Sequence, residues 1–348
     1  MSYCTTAHCL VSRSALLSNF SLIHALAAGR AIGLVIKGNG YGHGALQIAE
    51  LFDADTRVAY FLTAGLREGV ALRAAGINKP IMAMAYCDGD ISEAVGCDIE
   101  PSIATDAELS LVHSAARALK KTTVIHIKVD TGIARRGVAW HDVGPFYRRA
   151  AALENITIKT IFTHCADSSP EDTRFIYEQQ HRYEQALNAA RAEGFLGMAH
   201  MASSGSLTLI PGYDMVRVGT MFYGSWKNEI QKKRIFSVIP DAELIPALTL
   251  RVGVFMRDEA ALVVYGGYRD AYCIVRGATL FLSCGCKSSL TDVSETVSYA
   301  PLVCHHTVEY ADLVGARPGI LPTDVALCRG TIANEITTRI YQHVPRIY

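Results

Sequence analysis

The sequence predicts an α/β protein, with an N-terminal (β/α)8 barrel of the TIM type followed by a smaller, mainly β C-terminal domain. Eight short apolar segments alternate with helical patterns over roughly the first 220 residues, which is a suitable length for such a barrel. After Ile239 the helical periodicity fades, and strand patterns joined by turns replace it. The chain has 348 residues, half of them hydrophobic, so it is long enough for two domains with buried cores.

The predicted barrel strands are rich in β-branched residues. They cover residues 31–36, 58–63, 80–85, 99–104, 124–129, 156–163, 197–202 and 214–218. Helical periodicity separates several of them, at residues 45–52, 66–75, 106–119 and 171–193. An open, doubly wound sheet is the alternative arrangement of the same elements. A barrel predicts that functional groups lie at the carboxyl ends of its strands.

We expect the barrel to occupy residues 1–238 and the β domain residues 239–348. The predicted strands of the second domain cover residues 247–256, 261–264, 272–282 and 301–308.

The composition excludes several functional classes. The 33 basic and 33 acidic side chains balance, which argues against nucleic acid and anionic membranes as partners. No apolar run reaches the ~18 residues of a membrane span, and the first residues do not resemble a signal peptide. Ten cysteines are too few for a disulfide-stapled domain. We therefore expect a cytoplasmic protein with reduced thiols.

A lysine followed by alternating glycines ends the first predicted barrel strand. Lys37 precedes glycines at positions 38, 40, 42 and 44. A lysine is costly to bury without a partner, and one reason to place it there is to form an imine with a carbonyl compound. A glycine-rich turn with a solvent-directed lysine is the alternative interpretation.

Seven segments, in one order along nearly the whole chain, carry a family resemblance. They are residues 37–44, 128–137, 163–164, 200–204, 213–219, 264–266 and 344–348. Together they resemble the motifs of the alanine racemase family, and residues 37–44 resemble the motif that contains its pyridoxal-phosphate (PLP) lysine. Both alanines of that motif are glycines here, Gly38 and Gly40.

The resemblance implies PLP as cofactor and assigns residues to it. Lys37 would hold PLP covalently and act as a base at the substrate Cα. Tyr41 and Ser204 would bind the phosphate, together with backbone N–H groups around Gly219 and Thr220.

Two further residues would contact the pyridine ring. His164 would pack against it, whereas in isolation a core histidine would be the simpler interpretation. Arg217 would meet the pyridine nitrogen, and an arginine keeps its proton, so that nitrogen would stay unprotonated. PLP would then be a weaker electron sink, which favours racemisation over decarboxylation. An ordinary salt bridge is the alternative role for Arg217.

Racemisation requires acid–base groups on opposite faces of Cα. The resemblance implies Tyr265 as the second group, reaching the partner subunit's barrel in a homodimer with shared active sites. A free tyrosine titrates near pH ~10, so Tyr265 needs a nearby cation. Arg135 is the candidate, and it would also bind the substrate carboxylate. Lys128 matches a lysine that is carbamylated in some relatives.

Three residues of the β domain depart from the family pattern. Cys284 replaces a tyrosine of the substrate entrance, Val308 falls where a backbone N–H meets the substrate carboxylate, and Asn334 replaces a gate tyrosine. Asparagine is smaller than tyrosine and can both donate and accept hydrogen bonds. We therefore predict an amino-acid substrate larger or more polar than alanine, with serine as the leading candidate.

The sequence also raises the questions of a metal site and of competing functions. Cys284, Cys286, His305 and His306 match no standard zinc spacing, so we predict no metal. Cys284 could instead act as an added acid. The competing functions are a β-eliminating or decarboxylating enzyme, which Arg217 disfavours, and a PLP-binding carrier or regulator, which does not need Tyr265.

Overall fold

Two sheets organise the chain, and the first described strand belongs to the second of them. A computed structural model describes residues 7–210, 212–257, 261–264, 273–276, 279–281, 309–314 and 346–348. Strand β1 (Ala7–Val11) comes first, followed by helix α1 (Arg13–Ala27), which begins at the N-cap Ser12.

Eight parallel strands then form the barrel. They are β2 (Ala31–Val35), β3 (Val58–Gly65), β4 (Ile81–Tyr86), β5 (Ile99–Ile103), β6 (Thr123–Asp130), β8 (Ile156–Phe162), β9 (Met198–His200) and β10 (Met215–Val218). They pair in the order β10–β2–β3–β4–β5–β6–β8–β9, and the short β7 (Val138–Ala139) pairs with β6 beside this ring. Backbone hydrogen bonds from Asp214 N to Ala199 O (2.8 Å) and from Arg217 N to Ala202 O (3.0 Å) nearly close the ring. The predicted barrel is confirmed, and the open sheet is excluded.

Helices cover the outside of the barrel. After a five-residue turn, α2 (Lys37–Tyr41), they are α3 (Ala45–Phe52), α4 (Leu66–Ala74), α5 (Ile91–Gly96), α6 (Asp106–Ala118), α7 (Val143–Ala151), α8 (Arg174–Ala192) and α9 (Glu229–Phe236). Two 3₁₀ turns cover Trp140–Asp142 and Ser204–Ser206. Helix α6 starts at a capping box, in which Thr105 and Glu108 satisfy each other's backbone N–H groups.

The helices are held to the strands by buried aromatic side chains. Phe20, Phe52 and Phe222 pack edge to face, with ring centroids 4.9 to 6.4 Å apart. Tyr183 of α8 is fully buried, and its hydroxyl donates to Ile161 O at 2.6 Å and accepts from His200 N at 2.9 Å. Helix α8 is thereby tied to β8 and β9, whose carboxyl ends carry site residues.

The second sheet is mostly antiparallel. It contains β11 (Leu248–Arg257), β12 (Ala261–Val264), β13 (Cys273–Arg276), β14 (Thr279–Phe281), β15 (Glu309–Val314) and β16 (Arg346–Ile347). The order is β14–β13–β12–β11–β1–β16, and β15 also pairs with β11. Strand β1 also belongs to this sheet, which the sequence does not predict. The division at residue 238 stays a prediction, and the predicted strand at 301–308 lies outside the described residues.

Most predicted elements agree with the structure within three residues. Helix α8, for example, begins at Arg174 and ends at Ala192, against a prediction of 171–193. The sequence does not predict helices α1, α5, α7 and α9. The buried face of α1 includes the polar Asn19. Asn19 Nδ2 donates to Phe222 O (3.1 Å) and Ile245 O (2.8 Å), so the amide is satisfied inside the core. Within the described ranges, none of the helices is both long and apolar enough to cross a bilayer.

Candidate active site

The predicted site residues of the described part meet at the carboxyl ends of the barrel strands. Lys37 follows β2, His164 follows β8, and Arg217 lies in β10. They come from segments far apart in sequence, and parallel strands bring their carboxyl ends to one face of the barrel.

The turn after Lys37 has a left-handed backbone. The φ angles of Gly38, Asn39, Gly40 and Tyr41 are 61°, 53°, 63° and 49°. This conformation costs an ordinary L-residue roughly 1–2 kcal/mol, and glycine and asparagine adopt it most readily. The two glycines that replace the alanines of the family motif therefore relieve strain in this turn.

Two other parts of the chain hold this turn, and the sequence analysis missed both. Glu68 of α4 accepts a hydrogen bond from Gly38 N at 2.6 Å through Oε1 and from Ala64 N at 2.8 Å through Oε2. At the other end, Arg346 Nε donates to Gly42 O at 2.8 Å, and the Tyr348 hydroxyl donates to His43 O. An acid in the first turn of α4 was the only available signal for Glu68, and such acids are common.

The amine of Lys37 lies in a positively charged environment. Burial lowers its pKa, and the cations of Arg135 and Arg217 lower it further, while Glu68 acts in the opposite direction. Among the described residues, Lys37 has no hydrogen-bond acceptor or carboxylate in contact. A lysine with a lowered pKa is more often neutral, which is the form that attacks a carbonyl or takes a proton.

Arg217 is held by the barrel, and one of its donors is left over. Nη1 donates to His200 Nδ1 at 2.6 Å, and Nη2 donates to Thr163 O at 2.7 Å and Met201 O at 2.9 Å. Its Nε has no partner in the part of the chain that the structure describes. Burial lowers the pKa of Arg217 to about 10, so the guanidinium stays protonated at neutral pH. The free donor fits an acceptor such as a pyridine nitrogen.

His164 is neutral in these surroundings. Burial lowers its pKa well below the ordinary value, and the charges of Arg217, Arg135, Lys37 and Lys128 act in the same direction. Its Nδ1 lies 3.2 Å from Arg217 Nη2. A neutral imidazole can pack on an aromatic ring, and four nearby cations favour anionic ligands such as a phosphate ester and a carboxylate.

Tyr41, Ser204 and Gly219 come together at another point of the barrel mouth. Ser204 Oγ accepts from Gly219 N at 2.9 Å. A Cβ on residue 219 would lie 3.0 Å from the Tyr41 ring and 3.5 Å from its hydroxyl, so glycine allows the tyrosine to approach the backbone. Thr220 follows, half buried. Two hydroxyls beside a turn of backbone N–H groups form an arrangement that suits a phosphate. The residues present therefore fit PLP at both its ring and its phosphate.

The structure distinguishes two adjacent arginines. Arg136 is a structural residue, because its Nε donates to Glu108 Oε1 at 2.8 Å and its Nη1 to Ser102 Oγ at 3.1 Å. Arg135 is exposed and has neither an ion pair nor a hydrogen bond to any described residue. Asp130 shapes this loop by accepting from Gly132 N and Ala134 N. Arg135 is thus available to bind a carboxylate, and that role stays a prediction.

Lys128 allows the effect of burial and neighbouring cations on stability to be tested. Burial, followed by Arg135, Arg136 and other cations, lowers its pKa to about 8, whereas an unfolded lysine titrates near ~10.4. Between these values the unfolded chain binds more protons, so the free energy of unfolding should rise with pH. We expect Lys128→Met to stabilise the apo-protein at pH 7 by about 3 kcal/mol, with the gain shrinking as the pH approaches ~10. Urea denaturation in CO2-free buffer at pH 7 and pH 9.5 measures this.

The exposed Lys159 supplies the matched control. Lys159→Met should change the unfolding free energy little at either pH. An equal effect of the Lys128 and Lys159 replacements would contradict the burial argument.

Several predicted residues lie outside the described residues. These are Tyr265, Cys284, Val308 and Asn334, and the possible zinc ligands Cys286, His305 and His306. In the described ranges, no three histidine, cysteine or acidic side chains are grouped as metal ligands.

Comparison with known proteins agrees with this geometry. The sequence model of the alanine racemase N-terminal domain matches residues 11–226. An alanine racemase of Thermobifida fusca is 30% identical, over 98% of this chain and 98% of that protein. Among solved structures, an alanine racemase from a D-cycloserine-producing Streptomyces lavendulae is 26% identical with a TM-score of 0.80, covering 99% of this chain and 97% of that one. The alanine racemase of Bartonella henselae, solved with covalently bound pyridoxal phosphate, has the same fold at 19% identity, with a TM-score of 0.76 and coverage of 99% and 100%.

Proposed function

Because this chain belongs to the alanine racemase family, and is therefore an alanine racemase-like isomerase that uses pyridoxal phosphate, we propose that it interconverts the L- and D-isomers of a small amino acid. The candidates are alanine, serine or a larger polar amino acid, with serine leading. The observation that carries the proposal is the Nε of the buried Arg217, which has no partner among the described residues and belongs to a guanidinium that lowers the pKa of the Lys37 amine.

The contacts described above support the roles that we propose for the cofactor-binding residues. Tyr41, Ser204 and the backbone at Gly219 and Thr220 bind the phosphate. Bound PLP withdraws electrons from the substrate Cα and makes its hydrogen acidic. Arg217 would hold the ring nitrogen of the cofactor without giving up its proton. Its charge would limit the electron withdrawal and favour simple proton exchange.

Proton transfer is assigned to two opposed side chains. Lys37, whose pKa is lowered by burial and Arg135, takes or returns the proton on one face of Cα. Tyr265 acts on the other face, and we propose that it comes from the partner of a cytoplasmic homodimer. Arg135 binds the substrate carboxylate and lowers the cost of ionising that tyrosine.

Hydrogen exchange at Cα tests the function directly. The purified protein, supplied with PLP in heavy water, is offered L-alanine, L-serine and a panel of other L-amino acids. Loss of the Cα proton is followed by NMR, and the D-isomer by chiral chromatography. Exchange together with D-isomer supports the proposal and identifies the substrate. Formation of a keto acid would support β-elimination, and formation of an amine would support decarboxylation. Bound PLP without any loss of the Cα proton would support a carrier.

The gate residue Asn334 should control the choice of substrate. Replacing it with tyrosine narrows the pocket and removes a polar partner for a hydroxyl. We expect Asn334→Tyr to lower the ratio of kcat/KM for serine to that for alanine by about 10- to 100-fold. Initial rates with both L-amino acids measure the ratio, and an unchanged ratio would refute the gate argument.

A further inference from the structure

A continuous row of polar side chains crosses the interior of the barrel from Arg217 to Glu100. Arg217 Nη1 lies 2.6 Å from His200 Nδ1, and His200 Nε2 lies 3.0 Å from Thr160 Oγ1. Thr160 Oγ1 lies 2.8 Å from His126 Nδ1, and His126 Nε2 lies 2.9 Å from Glu100 Oε2. These five residues, here named the barrel relay, lie on β10, β9, β8, β6 and β5 in that order.

The relay connects the active-site end of the barrel to its opposite end. His200, Thr160 and His126 are fully buried, and Arg217 is 4% exposed. Glu100 is the second residue of β5, and 15% of its side-chain surface is exposed to solvent. The hydroxyl of Tyr60, on β3, also hydrogen-bonds to this carboxylate. The acid therefore lies near solvent, at the end of the barrel away from Lys37.

The hydrogen bonds of the relay run in one direction. Arginine only donates, so His200 Nδ1 accepts and the neutral ring carries its proton on Nε2. That proton is donated to Thr160. Among the described residues, the two histidines are the only side-chain partners of Thr160 Oγ1, so its single hydrogen points to His126 Nδ1. His126 then donates from Nε2 to Glu100.

The relay also helps to explain how the buried charge of Arg217 is tolerated. A buried guanidinium is costly without a compensating anion. Arg217 contacts no carboxylate in the part of the chain that the structure describes, and its direct acceptors are neutral. A chain of aligned hydrogen bonds polarises each member and extends the influence of a charge at its end.

We propose that Glu100 is a positioning residue for Arg217, acting through the barrel relay. Its carboxylate fixes the tautomer of His126, and its negative charge polarises the hydrogen bonds that lead to Arg217. The His126 tautomer fixes the hydroxyl of Thr160 and, through it, the ring of His200. The acceptor that holds Arg217 Nη1 is then locked, and Nε stays aimed at its ligand. The effect on turnover rests on the proposed function, whereas the hydrogen-bond arrangement does not.

Two variants test the relay at different points. Thr160→Val keeps the shape of the side chain and removes both hydrogen bonds. Glu100→Gln keeps an acceptor for His126 and removes only the charge. Thr123→Val is the matched control, because Thr123 is a buried threonine of β6 that lies outside the relay.

Ring-nitrogen NMR of ¹⁵N-histidine in the PLP-bound protein gives a readout independent of activity. In the wild type and in Thr123→Val, we expect His126 and His200 to carry one proton each, on Nε2, as the direction of the hydrogen bonds requires. Thr160→Val should change the signals of both rings. A doubly protonated His126, or rings unchanged by Thr160→Val, would overturn the proposal.

Kinetics give the second readout. We expect Thr160→Val and Glu100→Gln to lower kcat by about 10-fold with KM within about 2-fold, and to shift the absorbance of bound PLP. A lower melting temperature with unchanged kcat and absorbance would mean a merely structural network and would overturn the proposal. If Thr160→Val does not fold, Glu100→Gln decides the outcome. Expected histidine signals in a protein that racemises nothing would refute the proposed function and leave the relay intact.

Discussion

Replacing Lys37 with alanine should lower kcat for racemisation by at least about 10⁴-fold, because it removes the side chain that we propose as both the covalent holder of the cofactor and one of the two bases. The absorbance band of the lysine-bound cofactor should disappear. The barrel should stay folded, since the Lys37 amine makes no hydrogen bond within the described residues and burial disfavours its charged form. Chiral chromatography measures the D-isomer, and circular dichroism measures the fold.

Two controls make this result specific. Lys159→Ala removes an exposed lysine of β8 and should leave turnover unchanged. Added methylamine should restore part of the activity of Lys37→Ala, because a small amine can take the vacated position as a base. Activity within tenfold of the wild type, without added amine, would contradict the assignment of Lys37.

The barrel could be predicted from sequence because its strands are buried on both faces. Parallel strands of this kind are near-continuous apolar segments, such as residues 31–36 and 58–63, and they need no alternation to be recognised. The strand-end rule then placed Lys37, His164 and Arg217 at one face before any contact was known. The structure confirms that these three residues come together.

The burial of certain polar residues could not be predicted from the sequence. Asn19, His126 and Thr160 appear in the sequence as positions that should face solvent, and only their hydrogen-bond partners explain their burial. These partners lie from 26 to 226 residues away along the chain. No local pattern can encode such a pairing.

The backbone conformation of the Lys37 turn could not be predicted from the sequence either. The alternating glycines indicated a tight turn, but not that successive residues, including Tyr41, have positive φ angles. This conformation is held from outside by Glu68 and by Arg346. This backbone strain is sustained by residues that are distant in sequence. The local sequence therefore gives little sign of it.

Replacing Tyr265 with phenylalanine should lower kcat by about 10²- to 10⁴-fold, because it removes the phenol that we propose as the base on the face opposite Lys37. The ring and its volume remain, so PLP binding should not change. One enantiomer of the substrate should still exchange its Cα hydrogen through Lys37, while the other should not. Tyr177→Phe, at a half-exposed tyrosine of α8, is the control. Wild-type rates in both directions would refute the two-base assignment.

Mixing two inactive variants tests whether each site is shared between subunits. Suppose Lys37→Ala and Tyr265→Phe subunits are unfolded together and reassembled at equal concentrations. In a homodimer with shared sites, one site of each mixed dimer combines an intact Lys37 with an intact Tyr265 from its partner. Half of the dimers are mixed, so activity should recover to about a quarter of the wild type. If both residues of a site came from one subunit, every site in the mixture would lack one base, and no activity would return.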